Sequence, residues 1–263
     1  MCIVGAGTVG LSCAFQIKET FADSVSIEII SDKFIEETTS CGSAGLWEPY
    51  QIAGTPGEAL DEFSYIHISP VSTLSQHADA KVNYWGKKAF DHFLDLYHGA
   101  DAGEAGVQLM TAYQLLEEHE AGAPLPAWRD IVFNFTDLSP DELQKMNIPH
   151  RFVRGFSFGT LVVEQKRYMT YMTRKLRAMG VKFVAKKVSC IHSLLRTSNA
   201  SAGGSGSFDI VVNCSGLGAY HLSKDDSMYP IRGQIVRVQA PWVKNVWFFG
   251  TSYIIPNLDC GRV

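Results

Sequence analysis

A glycine-rich turn at residues 5–10, GAGTVG, follows a short apolar strand at the start of this sequence. Gly5 permits the tight turn, Gly7 leaves space where a pyrophosphate must approach, and Gly10 allows the next helix to pack on the strand. The first turn of that helix presents backbone N–H groups, which favour phosphate. The pattern therefore indicates a dinucleotide-binding site, and the alternative is a glycine-rich turn that only eases packing.

A second apolar strand, residues 25–31, completes a βαβ unit within the first 32 residues. Asp32 stands at the end of this strand, 22 residues after Gly10. An acidic residue about 20 residues beyond the glycines typically binds a ribose hydroxyl in dinucleotide-binding folds. Without the glycine turn, Asp32 would be interpreted as a strand-end cap or a solvated acid.

Helices and strands continue to alternate after this unit. The spacing of apolar residues predicts helices over residues 84–97 and 167–179, the second of which is ended by Gly180. Apolar runs predict strands over residues 181–188 and 208–214. This alternation is typical of a doubly wound parallel sheet covered by helices.

A second layer is predicted from the remaining segments. Residues 232–238 and 246–255 are strand-like and are not followed by helices, which indicates a mostly antiparallel arrangement. A short helix is predicted to begin at Ser139, because Pro140 suits the first helical position and Glu142 closes a capping box.

Two stretches show no regular period. Residues 61–80 mix Ser, Pro, Thr and aromatic residues and predict a loop, and residues 197–207 (TSNASAGGSGS) predict a flexible surface connection.

Composition excludes several classes of function. The net charge of −4 creates no general attraction for nucleic acid or for anionic lipid. The six cysteines lack C-x-x-C spacing and the eight histidines lack H-E-x-x-H spacing, so no metal site is predicted. No apolar run reaches the roughly 18 residues of a membrane span, and no secretory leader precedes the first strand. We therefore expect a soluble, non-secreted protein with no membrane or nucleic-acid partner.

Six short segments occur in one order along the chain: GAGTVGLS, ISDKF, TTSCGSAGLWEPY, VVNCSG, RGQIVRVQAPW and SYIIP. In this order and spacing they resemble the FAD-dependent D-amino-acid oxidases and D-aspartate oxidases over nearly the whole chain. The resemblance implies an α/β fold, with a Rossmann-like, doubly wound FAD-binding sheet and a second, mostly antiparallel substrate domain. The FAD-binding domain is expected at residues 1–50 and 161–222, and the substrate domain at residues 51–160 and 223–263.

The same resemblance implies which residues contact FAD. Those expected at its pyrophosphate and ribose are Gly5, Ala6, Gly7, Thr8, Val9, Gly10, Asp32 and Lys33. Those expected along the phosphates, the flavin ring and the adenine are Thr39, Ser40, Ala44, Gly45, Leu46, Val188 and Ser215.

Three further positions are expected to bind substrate. Tyr253, in SYIIP, matches the tyrosine whose hydroxyl hydrogen-bonds the substrate carboxylate in the family, and Glu48 and Tyr50 match the lining of the substrate entrance. A tyrosine in an apolar strand is, on general grounds, more often a core residue with a satisfied hydroxyl.

The implied reaction is the oxidative deamination of a D-amino acid to a 2-oxo acid, ammonia and hydrogen peroxide, with molecular oxygen as second substrate. No catalytic side chain is expected, because the flavin accepts the hydride. Some segments resemble the D-aspartate oxidases more closely, and others resemble the D-amino-acid oxidases more closely. We expect D-aspartate as the substrate, with neutral D-amino acids as the alternative. A nicotinamide-linked dehydrogenase and an inactive fragment are the other classes left open.

The family continues beyond the position of Val263. Its later segments carry the arginine that pairs with the substrate α-carboxylate, a stretch that closes over the flavin, and a peroxisomal tripeptide. The resemblance therefore predicts a truncated form with negligible oxidase activity, in which residues 64–81 are an insertion. It also suggests a homodimer, located in the peroxisome, or in the cytoplasm if the signal is absent.

Overall fold

A computed structural model describes residues 1–49, 71–196, 207–230, 232–250 and 252–257, and within helix residues 71–82 it describes the backbone alone. The strands in chain order are β1 (Cys2–Ala6), β2 (Glu28–Phe34), β3 (Val107–Glu117), β4 (Phe133–Leu138), β5 (Phe152–Val163), β6 (Lys182–Ala185), β7 (Val211–Asn213), β8 (Val246–Phe249) and β9 (Ser252–Ile254). The α-helices are α1 (Thr8–Phe21), α2 (Val71–His98), α3 (Ala102–Ala105), α4 (Pro140–Lys145), α5 (Gln165–Ala178) and α6 (Ala219–Leu222).

The chain divides into two compact units, each built from two segments. The first unit comprises residues 1–44 and 164–236, and the second comprises residues 45–163 and 237–263. The sequence placed the corresponding domain boundaries after residues 50, 160 and 222. The first boundary of the structure lies earlier because the backbone of Gly45 pairs with the end of β5.

The first unit is built on a parallel sheet with the strand order β6-β2-β1-β7. Helix α1 connects the parallel strands β1 and β2, so the predicted βαβ unit is confirmed. One side of the sheet contributes a buried cluster made by Cys2, Val4, Ile30 and Leu194. Burial of these apolar side chains stabilises the packing of β1 and β2, because burial of apolar surface is the main favourable term in folding.

The second unit is built on a sheet with the strand order β4-β5-β3-β8-β9. Its pairings are antiparallel except for the parallel pair of β3 and β8. The mostly antiparallel second layer is therefore confirmed, and with it the predicted α/β class. Aromatic rings fill one core of this unit, with Trp47 4.9 Å from Phe90 and Trp128 4.9 Å from Phe158 between ring centroids.

The capping box predicted at Ser139 is confirmed. The hydroxyl of Ser139 accepts a hydrogen bond from the backbone N–H of Glu142, and the carboxylate of Glu142 accepts one from the N–H of Ser139 at 2.8 Å. These reciprocal bonds satisfy N–H groups that the first turn of α4 leaves without partners. The capping box joins residues only three positions apart, so it could be predicted from the sequence alone.

Two of the sequence predictions for secondary structure are wrong. Residues 71–80, predicted as loop, form the first turns of α2, while residues 61–70 lie outside the described residues. Leu74, Ala78 and Val82 recur every fourth residue, a helical spacing that the polar residues between them obscured. Residues 232–238, predicted as a strand, are exposed and form no strand, because no described segment pairs with their backbone.

The remaining strands are shorter or shifted relative to their predictions. The segment 246–255 splits into β8 and β9, because Gly250 adopts a left-handed φ of 58° and turns the chain between them. Strand β2 begins and ends three residues later than predicted, so Asp32 lies within it. Of the run 208–214, only Val211–Asn213 pairs in the sheet.

Candidate functional site

The glycine turn is shaped by contacts from the far end of the sequence. Gly5 has a φ of 109°, and a Cβ there would lie 2.3 Å from the carbonyl oxygen of Cys214. A Cβ on Gly10 would lie 2.0 Å from the carbonyl oxygen of Gly5. Both positions therefore require glycine, since distances below 3.0 Å to backbone atoms are not tolerated. The close packing predicted for Gly10 is confirmed, and its partner is the strand-end carbonyl.

The start of α1 is tied to the segment that follows β2. The backbone N–H of Thr8 donates to the hydroxyl of Ser40 across 3.0 Å, and the hydroxyl of Thr8 donates to the side chain of Gln165 at 3.0 Å. A Cβ on Gly7 would lie 3.0 Å from the same Ser40 oxygen. The structure thus brings Gly7, Thr8 and Ser40 together at the helix N-terminus, and Thr39 begins the short 3₁₀ turn that carries Ser40.

Asp32 and Lys33 occupy the carboxyl end of β2 and are both exposed. The hydroxyl of Ser31 donates to the carbonyl of Lys33 at 2.7 Å and accepts from its N–H at 3.3 Å. This local bonding fixes the backbone, while the carboxylate of Asp32 is open to an incoming hydroxyl group. Ala6 pairs with Phe34 across the neighbouring ends of β1 and β2, so the acid lies near the glycine turn.

Ser215 and Val188 also lie in the first unit. The Cα of Ser215 would be 3.2 Å from a Cβ on Gly5, so Ser215 borders the glycine turn. Its hydroxyl donates to the side-chain oxygen of Asn213 at 2.6 Å. Val188 packs against the buried cluster that includes Cys2 and Val4. Two other predicted positions are accessible to different degrees: Val9 is 65% exposed, and Ala44 is partly buried.

A cavity of about 280 Å³ lies in the first unit beside the ends of β1 and β2. It is lined by Ala6, Phe34 and Ile35 and by a face of α5 that includes Thr170 and Arg174. The sequence did not indicate this cavity, because it depends on how α5 packs on strands that are distant in the chain.

Gly45 and Leu46 belong to the second unit, where they extend the edge of β5. Gly45 exchanges backbone contacts with Val163, whose N–H donates to the Gly45 carbonyl at 2.8 Å, and Leu46 forms a bridge with Val162. A Cβ on Gly45 would lie 1.8 Å from the Val163 carbonyl oxygen, and its φ is 73°. This position therefore requires glycine for the packing of the strand edge, whatever else it contacts.

Glu48 follows the tightly held Trp47. The indole N–H of Trp47 donates to the carbonyl of Gly86 at 2.9 Å, and its own carbonyl accepts from the hydroxyl of Thr160 at 2.7 Å. Burial raises the pKa of the Glu48 carboxyl from 4.5 to about 7. The carboxyl therefore changes charge near neutral pH. The neighbouring Tyr50 lies outside the described residues.

Tyr253 lies in β9 and is 46% exposed, so it is not a core tyrosine. It stands opposite Phe248 in the antiparallel pair of β8 and β9, with the ring centroids 6.4 Å apart. Phe248 is in register with Gln114 of β3, which places Gln114 on the same sheet face. The side-chain oxygen of Gln114 is buried and has no hydrogen-bond partner. Gln114 could not be identified from the sequence, because the register between distant strands is not visible there.

The described residues contain no cluster of His, Cys, Asp or Glu that could hold a metal ion. Among those same residues, no helix has the length and apolar character needed to cross a membrane. The first unit thus carries a glycine cradle at a helix start, with hydroxyl and carboxylate groups at the strand ends. The second unit carries an exposed tyrosine on its sheet.

The chain matches a family model described as DAO, FAD dependent oxidoreductase, over residues 1–261. It is 32% identical to the D-aspartate oxidase of Homo sapiens over 257 residues, which is 97% of this chain and 64% of that protein. It is 29% identical to the D-amino-acid oxidase of Rubrobacter xylanophilus, covering 98% of this chain and 67% of that protein. The chain thus spans about two thirds of the length of these relatives.

Among solved structures, the chain resembles the glycine oxidase of Geobacillus kaustophilus with a TM-score of 0.66. The match covers 99% of this chain and 68% of that one at 20% sequence identity. It also resembles an L-proline dehydrogenase from P.horikoshii, with a TM-score of 0.61 at 14% identity. At these identities the likeness shows the fold alone.

Proposed function

The chain belongs to the DAO family of FAD-dependent oxidoreductases, and from that premise we propose that it forms the FAD-binding part and a portion of the substrate-binding part of an oxidase that deaminates D-amino acids. The observation that carries the proposal is the glycine cradle beside the start of α1, where a Cβ on Gly5 or Gly10 would clash with backbone atoms and one on Gly7 would crowd the Ser40 hydroxyl. The family match over residues 1–261 supports the same conclusion.

The residues present fit FAD. A dinucleotide pyrophosphate needs a glycine turn at a helix N-terminus, and a ribose needs a hydrogen-bond acceptor at the end of the second strand. Gly7 and Thr8 supply the first, and the exposed carboxylate of Asp32 supplies the second. We assign the hydroxyls of Ser40 and Ser215, which border the same turn, to the phosphate end of the cofactor.

When bound, FAD supplies the redox chemistry by accepting two electrons from the substrate and passing them to oxygen, which yields hydrogen peroxide. The task of the protein is to hold the substrate in one orientation and to keep its amine in the reactive, neutral form. We propose that the hydroxyl of Tyr253 donates a hydrogen bond to the substrate carboxylate. No described side chain is assigned as a general acid or base.

We propose D-aspartate as the substrate, supported by the similarity to D-aspartate oxidases. A second carboxylate needs a cation or several donors in the site. Lys244 is exposed, and it is the only cation in the sequence between Trp242 and Tyr253. We assign it as the candidate partner of the side-chain carboxylate.

The second candidate is an oxidase for neutral D-amino acids. The buried carboxyl of Glu48 favours it, because an ionised carboxylate next to the substrate would repel a second negative charge. Because burial raises the pKa of Glu48 to about 7, this repulsion would be weaker in acid than in base. The two candidates therefore differ in how the ratio of D-aspartate to D-alanine oxidation changes with pH.

A homodimeric state and a peroxisomal location complete the proposal. Both are supported only by the resemblance of the sequence to the family, and size-exclusion chromatography with light scattering and microscopy of a tagged protein would test them.

The decisive experiment is to purify the protein that carries this chain and to record its flavin absorbance and its peroxide release. When the family's later segments are present, we expect co-purified FAD, with more peroxide from D-aspartate than from D-alanine and none from L-aspartate, whereas residues 1–263 alone should release negligible peroxide. Bound FAD with no peroxide from any D-amino acid would contradict the reaction while leaving the cofactor site intact. A protein that retains no FAD and instead binds NADH would contradict both.

A further inference from the structure

Two cysteines from opposite ends of the first unit meet behind the glycine turn. Cys13 lies in α1 and Cys214 immediately follows β7, and their sulfur atoms are 4.0 Å apart. Both side chains are partly buried and neither forms a disulfide. The two positions are 201 residues apart, so the sequence alone did not pair them.

Cys214 also packs directly against the glycine turn at residues 5–10. Its N–H donates to the carbonyl of Val4 at 2.8 Å, and its carbonyl oxygen is the atom that a Cβ on Gly5 would meet at 2.3 Å. Its Cβ lies 3.4 Å from the position of a Cβ on Gly10. The backbone of Cys214 and the turn therefore cannot move independently, because there is no free space between them.

We propose that Cys13 and Cys214 form an oxidisable dithiol, which a hydroperoxide converts to a disulfide, and that this disulfide weakens FAD binding by displacing the glycine turn. A disulfide requires the sulfur atoms to be about 2.05 Å apart. Closing the 4.0 Å gap therefore brings the two sulfur atoms about 2 Å closer together. At Cys214 this movement acts on the glycine turn, because Cys214 packs directly against Gly5 and Gly10.

The chemistry balances with hydrogen peroxide as the two-electron oxidant. The Cys13 sulfur attacks the peroxide, the O–O bond breaks, the thiol proton passes to the leaving hydroxide, and Cys13 sulfenic acid and water form. The Cys214 sulfur then attacks the sulfenic sulfur, the S–O bond breaks, and a disulfide and a second water are released. The two thiol protons leave within these two water molecules.

The environment supports Cys214 as the second of the two sulfurs to react. Burial, and then the neighbouring Cys13, raise the pKa of the Cys214 thiol to about 12. Cys214 therefore stays protonated at neutral pH and is a poor nucleophile toward free peroxide. Its reaction with an oxidised Cys13 instead depends on proximity, because the two sulfur atoms are 4.0 Å apart and the Cys214 thiol proton can pass to the leaving hydroxide.

The experiment exposes the reduced full chain to added hydrogen peroxide, blocks the remaining thiols, and identifies cross-linked peptides by mass spectrometry. FAD affinity is measured by fluorescence titration before oxidation, after it, and after reduction with dithiothreitol. Because the peroxide is added, the test does not depend on the proposed oxidase reaction. The variants are Cys13→Ser and Cys214→Ser, with Cys190→Ser as the control at an exposed cysteine.

We expect a Cys13–Cys214 cross-link in the wild-type chain and in Cys190→Ser, with FAD binding about tenfold weaker, or about 1.4 kcal/mol, and restored by reduction. Both effects should be absent in Cys13→Ser, and Cys214→Ser should also give no cross-link. If Cys13 and Cys214 both stay reduced under a peroxide treatment that oxidises Cys190, the proposal is overturned. A cross-link with unchanged FAD affinity, or an equal loss of affinity in Cys13→Ser, would overturn it as well.

Discussion

The backbone N–H of Thr8 donates a hydrogen bond to the hydroxyl of Ser40 at 3.0 Å, and this bond supplies the cap that the first residue of α1 otherwise lacks. The residue before the helix is Gly7, which has no side chain to cap it. The side chain of a serine 32 positions after Thr8 therefore takes the place of a local N-cap side chain.

Replacing Ser40 by alanine should lower the free energy of unfolding by about 1 kcal/mol, the usual cost of removing a helix cap. Urea denaturation followed by circular dichroism would measure the change. The matched control is Ser43→Ala, because Ser43 is exposed in the same segment. Equal stability of the two variants would show that the Ser40 hydroxyl does not support α1.

Gly7→Val should abolish FAD binding, because the branched side chain would occupy the space beside Ser40 where the pyrophosphate is expected. The matched control is Gly42→Val, since a Cβ at Gly42 would meet no atom within 4 Å. Flavin absorbance after gel filtration reports retention of the cofactor. If Gly7→Val retains FAD as the control does, the turn is not the pyrophosphate site.

Because of Glu48, the free energy of unfolding of the chain should fall as pH rises from about 4.5 to about 7. Burial raises the pKa of Glu48 to about 7 in the folded chain, so the folded state holds a proton that the unfolded state has already released. At about 1.4 kcal/mol per pKa unit, the full penalty above pH 7 is about 3 kcal/mol.

Glu48→Gln should remove this part of the pH dependence, and it should be the more stable protein at pH 8 while differing little from the wild type near pH 4.5. Unfolding in urea at the two pH values would measure it. The exposed Glu37 offers the control, because Glu37→Gln should follow the wild-type curve. A Glu48→Gln curve parallel to the wild type would contradict the burial of this carboxyl.

In the protein that includes the family's later segments, Tyr253→Phe should lower kcat/KM for the D-amino acid about tenfold, because one hydrogen bond to the charged substrate carboxylate is lost. It should change stability little, since the side chain is 46% exposed. Initial rates of peroxide release would give kcat and KM for this variant and for Tyr229→Phe, whose side chain is 70% exposed. Identical kinetics for both variants would remove Tyr253 from the substrate site.

The glycine turn and the helix start at Ser139 could be predicted because each depends on residues within a few positions of one another. The tight turn at Gly5 belongs to that prediction, but the second reason that residue 5 must be glycine could not be predicted, because the carbonyl that excludes a side chain there belongs to Cys214. The exposure of Tyr253 is likewise decided by strand pairing, and an apolar strand sequence alone favoured a core position. Register and packing between distant segments are thus what the sequence left open.

The prediction of a strand at residues 232–238 failed for a related reason. Its residues have high strand propensity, including Ile235, Val236 and Val238, but a strand exists only where another backbone satisfies its N–H and C=O groups. The strand propensity of these residues is visible in the sequence. Whether a described segment pairs with them is not visible there, because it depends on the fold. The positions expected to contact FAD were found by resemblance, and their roles stay predictions.

The interleaved order of the parallel sheet has a consequence for how the chain is made. Strand β1 is synthesised long before one of its neighbours, β7, which begins at Val211. The sheet of the second unit gains β3, β4 and β5 long before that point. During synthesis the edge of β1 that pairs with β7 therefore stays unpaired until β7 has been made. Contacts between such distant segments form slowly. We expect the nascent chain to depend on chaperones until β7 emerges.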